Sequence, residues 1–184
     1  MIRLETATKI NNKEFNKIFN AAVDYDDTTG SFPWELYRLN DADNNTKRDF
    51  IKKFFTMSNY TSLIVEVRED DNLIALLLGQ WHDNNTELLI TIALIAPNSD
   101  DSKEWILSEE YALARNDYWD RLSINGWTHR TQGEGSPGYN YILRAEELDT
   151  LKANYETKLV PLPDASDQFI MPEQHFIDVK LTKL

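Results

Sequence analysis

The chain has 184 residues, and 31 Asp and Glu against 19 Lys and Arg leave a formal charge of -12. With 41% apolar and 11% aromatic residues it can bury a core, which excludes a disordered chain. It has no cysteine, which excludes disulfides, thiolate metal sites and cysteine nucleophiles. The first eight residues read as a short strand, with Ile2 and Leu4 on one face. Asn11, three residues before Glu14, is an N-cap arrangement. Phe15, Ile18, Phe19 and Ala22 follow at helical spacing. Gly30 and Pro33 break that pattern, so Asp24 to Leu39 is expected to be a loop. A second helix is predicted from about Asn45 to Met57. Phe50, Ile51, Phe54 and Phe55 form its apolar face, and Lys47, Arg48, Lys52 and Lys53 its polar one.

Three strands come next. In Ser62 to Arg68, Leu63, Val65 and Val67 alternate against Glu66 and Arg68. Leu73 to Trp81 and Glu87 to Ala96 are nearly continuous apolar runs, so both faces of each strand must be covered. Glu69 to Asn72 and His82 to Thr86 are the intervening turns. Leu107, Tyr111, Ala114, Tyr118 and Leu122 predict a third helix, with Asp101 and Glu104 at its start and Gly126 as its stop. Trp105, Trp119 and Trp127 are expected to pack the core. Trp127 to Gln132 reads as a strand, Gly133 to Gly138 as a loop, and Tyr141 to Lys158 as a fourth helix with Leu148, Leu151 and Tyr155 on one face. Leu159-Val160 and Phe176 to Leu181 close the chain as strands. The fold class is α+β, a mostly antiparallel sheet of about seven strands with four helices, in one domain over 1–184.

This order, with the acidic turn and the apolar strand ending near Pro97, resembles the GNAT acyltransferase superfamily. Tyr155-Glu156-Thr157-Lys158-Leu159-Val160 is similar to the family's late pattern of Tyr, an acidic residue and an apolar end, with Val160 where the family has glycine. The resemblance implies transfer of an acyl group from acetyl-CoA or another acyl-CoA to an amine. It implies that backbone N–H groups of Ile92, Ala93 and Leu94 polarise the thioester carbonyl. Tyr155 would protonate the departing thiolate, and His129 or Glu134 would take the amine proton. In that family the segment between the first two helices lines the acceptor site. Here it carries Asp24, Asp26 and Trp34, which suit an amine through ion pairing and cation–π contact worth ~0.5–2 kcal/mol.

One position departs from the family. Its glycine-rich phosphate loop, which holds pyrophosphate on backbone N–H groups, is replaced by Ala96-Pro97-Asn98-Ser99-Asp100-Asp101-Ser102-Lys103-Glu104. Asp100, Asp101 and Glu104 repel an anion there, which supports an alternative: a catalytically silent protein of this fold acting as a binding or interaction module. A formal Arg-x-x-Gly-x-Gly at Arg130 to Gly135 lies after the third helix instead of before it. Asp24, Asp26, Thr28 and Glu35 approach calcium-loop spacing, but Thr29 stands where glycine is required. The three histidines, His82, His129 and His175, are far apart, and no metal site is expected.

The acidity repels phosphate backbones, so a small amine or basic peptide is the expected partner and nucleic acid is not. No run reaches the ~18–20 apolar residues of a membrane span. Met1 to Glu5 lacks a basic-then-apolar leader, so the cytoplasm is the expected compartment and no membrane partner is expected.

Overall fold

The computed structural model describes residues 1–24, 37–56, 62–82, 87–97, 105, 108–133, 136–144, 155–159 and 174–183. Among these residues the order is β1 (Ile2–Ala7), α1 (Asn12–Asp24), α2 (Asn44–Thr56), β2 (Ser62–Glu69), β3 (Asn72–His82), β4 (Glu87–Ile95), α3 (Glu109–Leu122), β5 (Gly126–Gly133), β6 (Ser136–Arg144), β7 (Tyr155–Leu159) and β8 (Gln174–Lys183). The class is α+β. The chain divides into two units, Met1–Gln80 with Thr91–Ser102, and Trp81–Ile90 with Lys103–Leu184.

The first unit holds the strand order β1-β2-β3-β4 and the helices α1 and α2. Asn11 caps α1: its Oδ1 accepts from the Glu14 N–H at 3.1 Å. Asp43 caps α2 in the same way, accepting from the Thr46 N–H at 2.8 Å. That bond holds the Asp43 carboxyl below its usual range. The apolar faces of both helices are buried. Phe15, Ile18, Phe19, Ile51 and Phe55 pack with Ile64, Leu76, Leu78, Ile92 and Leu94 of β2, β3 and β4. Phe15 stacks on Phe19 at 6.2 Å and meets Phe55 edge-on at 5.8 Å. Fully burying each such side chain contributes about 1.5–3 kcal/mol.

The strands in this unit pair as the alternation requires, with one irregularity. β1 and β2 are antiparallel from Ile2↔Glu69 to Ala7↔Ile64. β2 and β3 are antiparallel, and Val67↔Ala75 is followed by Arg68↔Leu73, so Ile74 is an extra, bulged residue. The turn between them sets Asp70 at φ 53°, a left-handed conformation that aspartate tolerates better than most residues. β2 does not alternate cleanly between core and solvent. Ile64, Val65 and Val67 are all buried, because the face carrying Ile64 lies under the helices.

Arg68 ties α1 to this sheet. Its side chain is only 14% exposed. Its two terminal nitrogens donate to the two carboxylate oxygens of Glu14 at 2.9 and 3.0 Å, and its Nε donates to Glu66 at 3.0 Å. Such a forked, charge-assisted pair is strong and geometrically specific. It holds the Glu14 carboxyl below its usual range.

In the second unit, β4 pairs in parallel with β5 from Glu87↔Gly126 to Ile90↔His129, and α3 connects the two strands. The order continues β5-β6-β8-β7, all antiparallel. α3 starts later than expected. Ser108 is its cap, accepting from the Tyr111 N–H at 3.1 Å, while residues 101–104 lie outside the described residues. Gly126 does not stop this helix. Ser123 takes a left-handed φ of 56°, and the Ile124 N–H closes the end on the Trp119 carbonyl at 2.8 Å. Gly126 instead opens β5.

The expected fourth helix is corrected. Tyr141 to Arg144 belong to β6 and Tyr155 to Lys158 to β7, and residues 145–154 lie outside the described residues. Both stretches find an antiparallel partner in β8, and strand pairing over-rides the helical spacing that Tyr155 suggested. The count is accordingly three helices and eight strands among the described residues. The expected loop from Gly133 to Gly138 is also shorter, since β5 reaches Gly133 and β6 begins at Ser136. His82 closes β3 instead of opening the turn.

Replacing Arg68 by Met strands two carboxylates on a part-buried face. Urea unfolding should show a loss of about 1–3 kcal/mol at neutral pH. Glu14 binds its proton less tightly folded than unfolded, so its contribution is present above the usual 4.5 and fades as pH falls through the lower, folded value. The gap between wild type and Arg68→Met should therefore narrow on acidification below that value.

Candidate functional site

The residues expected to hold a thioester lie on β4. Ile92, Ala93 and Leu94 are buried, at 2%, 1% and 0% exposure. Ile92 and Leu94 face the α1 and α2 core, so what this stretch offers to a ligand is its backbone. His129 lies on β5 at the last position paired with β4, with Ile90 as one Cα partner and Asn140 as the other. Tyr155 opens β7, opposite Lys183, beside a register shift between Tyr155 and Thr157.

The strand order separates two of these residues. β6 and β8 lie between β5 and β7. Three strand spacings of about 4.8 Å put His129 and Tyr155 roughly 14 Å or more apart. Asp24 is the last residue of α1. Asp26, Trp34 and Glu134 lie outside the described residues. The calcium-like positions Thr28 and Glu35 lie outside them too. Among the described residues no group of three or more His, Asp or Glu side chains gathers to hold a metal ion. No helix among them is long and apolar enough to cross a membrane.

The start of α3 has its own donors and charges in place. The Ser108 hydroxyl oxygen already accepts from the Tyr111 N–H, and Glu109 and Glu110 occupy the first turn. Carboxylates there satisfy the helix dipole at ~0.3–1 kcal/mol each and repel a second anion. This helix start does not fit a pyrophosphate.

A buried cation lies further along α3. Arg115 is 7% exposed, with its guanidinium 5.3 Å from the Tyr111 ring and 5.0 Å from the Trp119 ring. Trp105 meets Tyr111 edge-on at 5.3 Å, and Trp127 meets Trp119 at 5.7 Å. The three tryptophans expected in the core, Trp105, Trp119 and Trp127, are buried. Burial pushes the Arg115 guanidinium down from its usual value and the Tyr111 hydroxyl up, while the bond between them counters both shifts. Sequence reading missed Arg115, although it lies four residues after Tyr111 and three before Tyr118, on the face already marked as buried. In the first unit a cavity of about 240 Å³ is lined by Lys13, Glu14, Lys17, Asp71, Asn72 and Leu73, with charges of both signs on its rim.

No family model and no curated protein matches the chain in sequence. Solved structures of acetyltransferases are similar to it in fold. One is an acetyltransferase of the GNAT family from Bacillus cereus, 12% identical, with 98% of this chain and 97% of that chain covered and a TM-score of 0.41. Another is the PaiA N-acetyltransferase from Thermoplasma acidophilum in complex with coenzyme A, 10% identical, covering 98% and 99%, with a TM-score of 0.42. A third is an acetyltransferase from Streptococcus agalactiae, 9% identical, covering 98% of each chain, with a TM-score of 0.42. The likeness is one of fold, and residue roles rest on this chain alone.

Arg115 depends on a planar cation between two rings. Arg115→Lys keeps the charge and loses the flat face, so unfolding followed by tryptophan fluorescence should show a loss of about 1–2 kcal/mol.

Proposed function

We propose that this chain is a GNAT-like N-acyltransferase acting on a small amine or a basic peptide. The observation that carries the reading is the parallel β4–α3–β5 unit, with His129 at the end of the paired stretch of β4 and β5. Acyl-CoA is the donor implied by the fold resemblance, and it supplies an activated thioester carbonyl. The chain's own contributions are then as follows. Asp24, Asp26 and Trp34 gather the cationic acceptor by ion pairing and cation–π contact. His129 or Glu134 takes the proton that the amine must lose to become a nucleophile. Backbone N–H groups of Ile92, Ala93 and Leu94 point a dipole at the carbonyl oxygen. Tyr155 gives a proton to the leaving sulfur.

A second reading is favoured by the start of α3. Ser108 already accepts the Tyr111 N–H there, and Glu109 and Glu110 repel a pyrophosphate, as a catalytically silent binding module of this fold would have it.

Thermal unfolding with saturating acetyl-CoA separates the readings. A ligand that binds only the folded state at 100 times its Kd adds ~2.7 kcal/mol. The acyltransferase reading expects a shift of that size; no shift with acetyl-CoA or desulfo-CoA leaves the binding module. If acetyl-CoA binds, Tyr155→Phe should lower kcat at least tenfold with KM for acetyl-CoA little changed. An unchanged kcat would remove Tyr155 from proton delivery.

A further inference from the structure

The cavity of about 240 Å³ in the first unit lies between α1 and the β2–β3 turn. α1 supplies Lys13, Glu14 and Lys17, the turn supplies Asp71, and the start of β3 supplies Asn72 and Leu73. None of these residues has a role in the acyl transfer proposed above.

The protein's own bonds build the frame of this cavity. The bulge at Ile74 sets Leu73 opposite Arg68. Residues directly paired across two strands share a face, and Arg68 reaches α1, so Leu73 is turned toward α1 as well. There it packs against the cluster that holds Phe15 and Phe19. Arg68 also joins the two walls. The guanidinium that donates to Glu14 on α1 donates to the Asp71 carbonyl at 3.2 Å. Arg3 holds the preceding carbonyl, that of Asp70, at 2.8 Å.

The charges of the lining are engaged unequally. Glu14 has both carboxylate oxygens on Arg68, which also serves Glu66. Lys17 helps to hold the Glu14 carboxyl low from a distance. Among the described residues neither the Lys13 nor the Lys17 ammonium makes an ion pair. Asp71 meets Arg3 at 3.9 Å, the outer limit of an ion pair, and Arg3 is shared with Glu5 at 2.9 Å. One wall therefore offers positive charge and the other negative charge beside a carboxamide, with Leu73 as the apolar floor.

We propose that this cavity binds a short aliphatic α-amino acid as its zwitterion. Its carboxylate meets the Lys13 and Lys17 ammonium groups, its ammonium meets Asp71 and the Asn72 side-chain carbonyl, and its side chain lies on Leu73. A simple anion would face Asp71 unpaired, and a simple amine would face the two lysines. Pockets for larger ligands run to about 300–1,000 Å³, so this one admits a small molecule. Lys13, Lys17 and Asp71 are exposed, so water screens each contact and the affinity is modest. This inference stands independently of the acyltransferase reading.

Equilibrium dialysis of the full chain against radiolabelled L-alanine at low ionic strength tests it. L-alanine should bind saturably. Propionate, which lacks the ammonium, and ethylamine, which lacks the carboxylate, should each compete roughly tenfold more weakly than unlabelled L-alanine. Lys13→Gln with Lys17→Gln should weaken L-alanine binding roughly tenfold, and Asp71→Asn should weaken it without weakening propionate. Lys52→Gln with Lys53→Gln removes the same charge from α2 and should bind as the wild type does. Circular dichroism checks that each variant is folded. Absence of saturable L-alanine binding overturns the proposal. So does propionate or ethylamine that competes as well as L-alanine, a Lys13 and Lys17 or an Asp71 variant that binds L-alanine as the wild type does, or an α2 control that loses binding.

Discussion

The strands β3 and β4 are buried on both faces, and this constraint organises the rest of the molecule. Ile74 to Leu78 are buried without a break, and Ile92, Ala93 and Leu94 are buried in succession. Side chains of a strand alternate between faces, so a continuous buried run requires cover on both sides. Its N–H and C=O groups, cut off from water, must be satisfied by neighbouring strands. Placing these two strands beside each other, with β2 alongside, meets the second demand. Phe15, Phe19, Ile51 and Phe55 of α1 and α2 meet the first on one face.

Arg68 and Arg115 of this acidic chain are accommodated differently. Arg68 is neutralised by Glu14 and Glu66, and in doing so it fixes α1 to β2. Arg115 lies deeper and is held against the faces of Tyr111 and Trp119. Desolvating a charge costs several kcal/mol, which a cation–π contact of up to about 2 kcal/mol offsets only in part. The rings and the bond to Tyr111, with Trp105 packed edge-on against Tyr111, act together to keep that cation inside.

The distribution of carboxylates bears on function more than their number does. Glu109 and Glu110 sit at the N-terminus of α3, where they satisfy the helix dipole, and the Ser108 hydroxyl oxygen has already taken the Tyr111 N–H there. Further along the same helix Asp117 is paired, accepting from the Arg121 Nε at 3.1 Å.

How much of this was legible in the sequence depended on the range of the forces involved. Caps and faces are local. Asn11 with Glu14, the helical spacing of Phe15, Ile18 and Phe19, and the apolar runs of β3 and β4 could be read directly, and each became the element expected. The segment around Tyr155 could not. Tyr155, Thr157 and Leu159 alternate with Glu156 and Lys158 at strand period, but the helical spacing of Leu148, Leu151 and Tyr155 competes with it. Pairing with β8 decides between them, and β8 begins fifteen residues beyond the end of β7. The candidate site follows the same division. Composition and spacing by themselves determined an acidic α+β chain, and the acyl-transfer roles came from its resemblance to a known family. The tertiary structure decided that Tyr155 is a strand residue three strands from His129, that Arg115 is buried, and that Ser108 caps α3. Those outcomes depend on which distant segments pair and which faces are covered, and no local pattern of side chains carries that information.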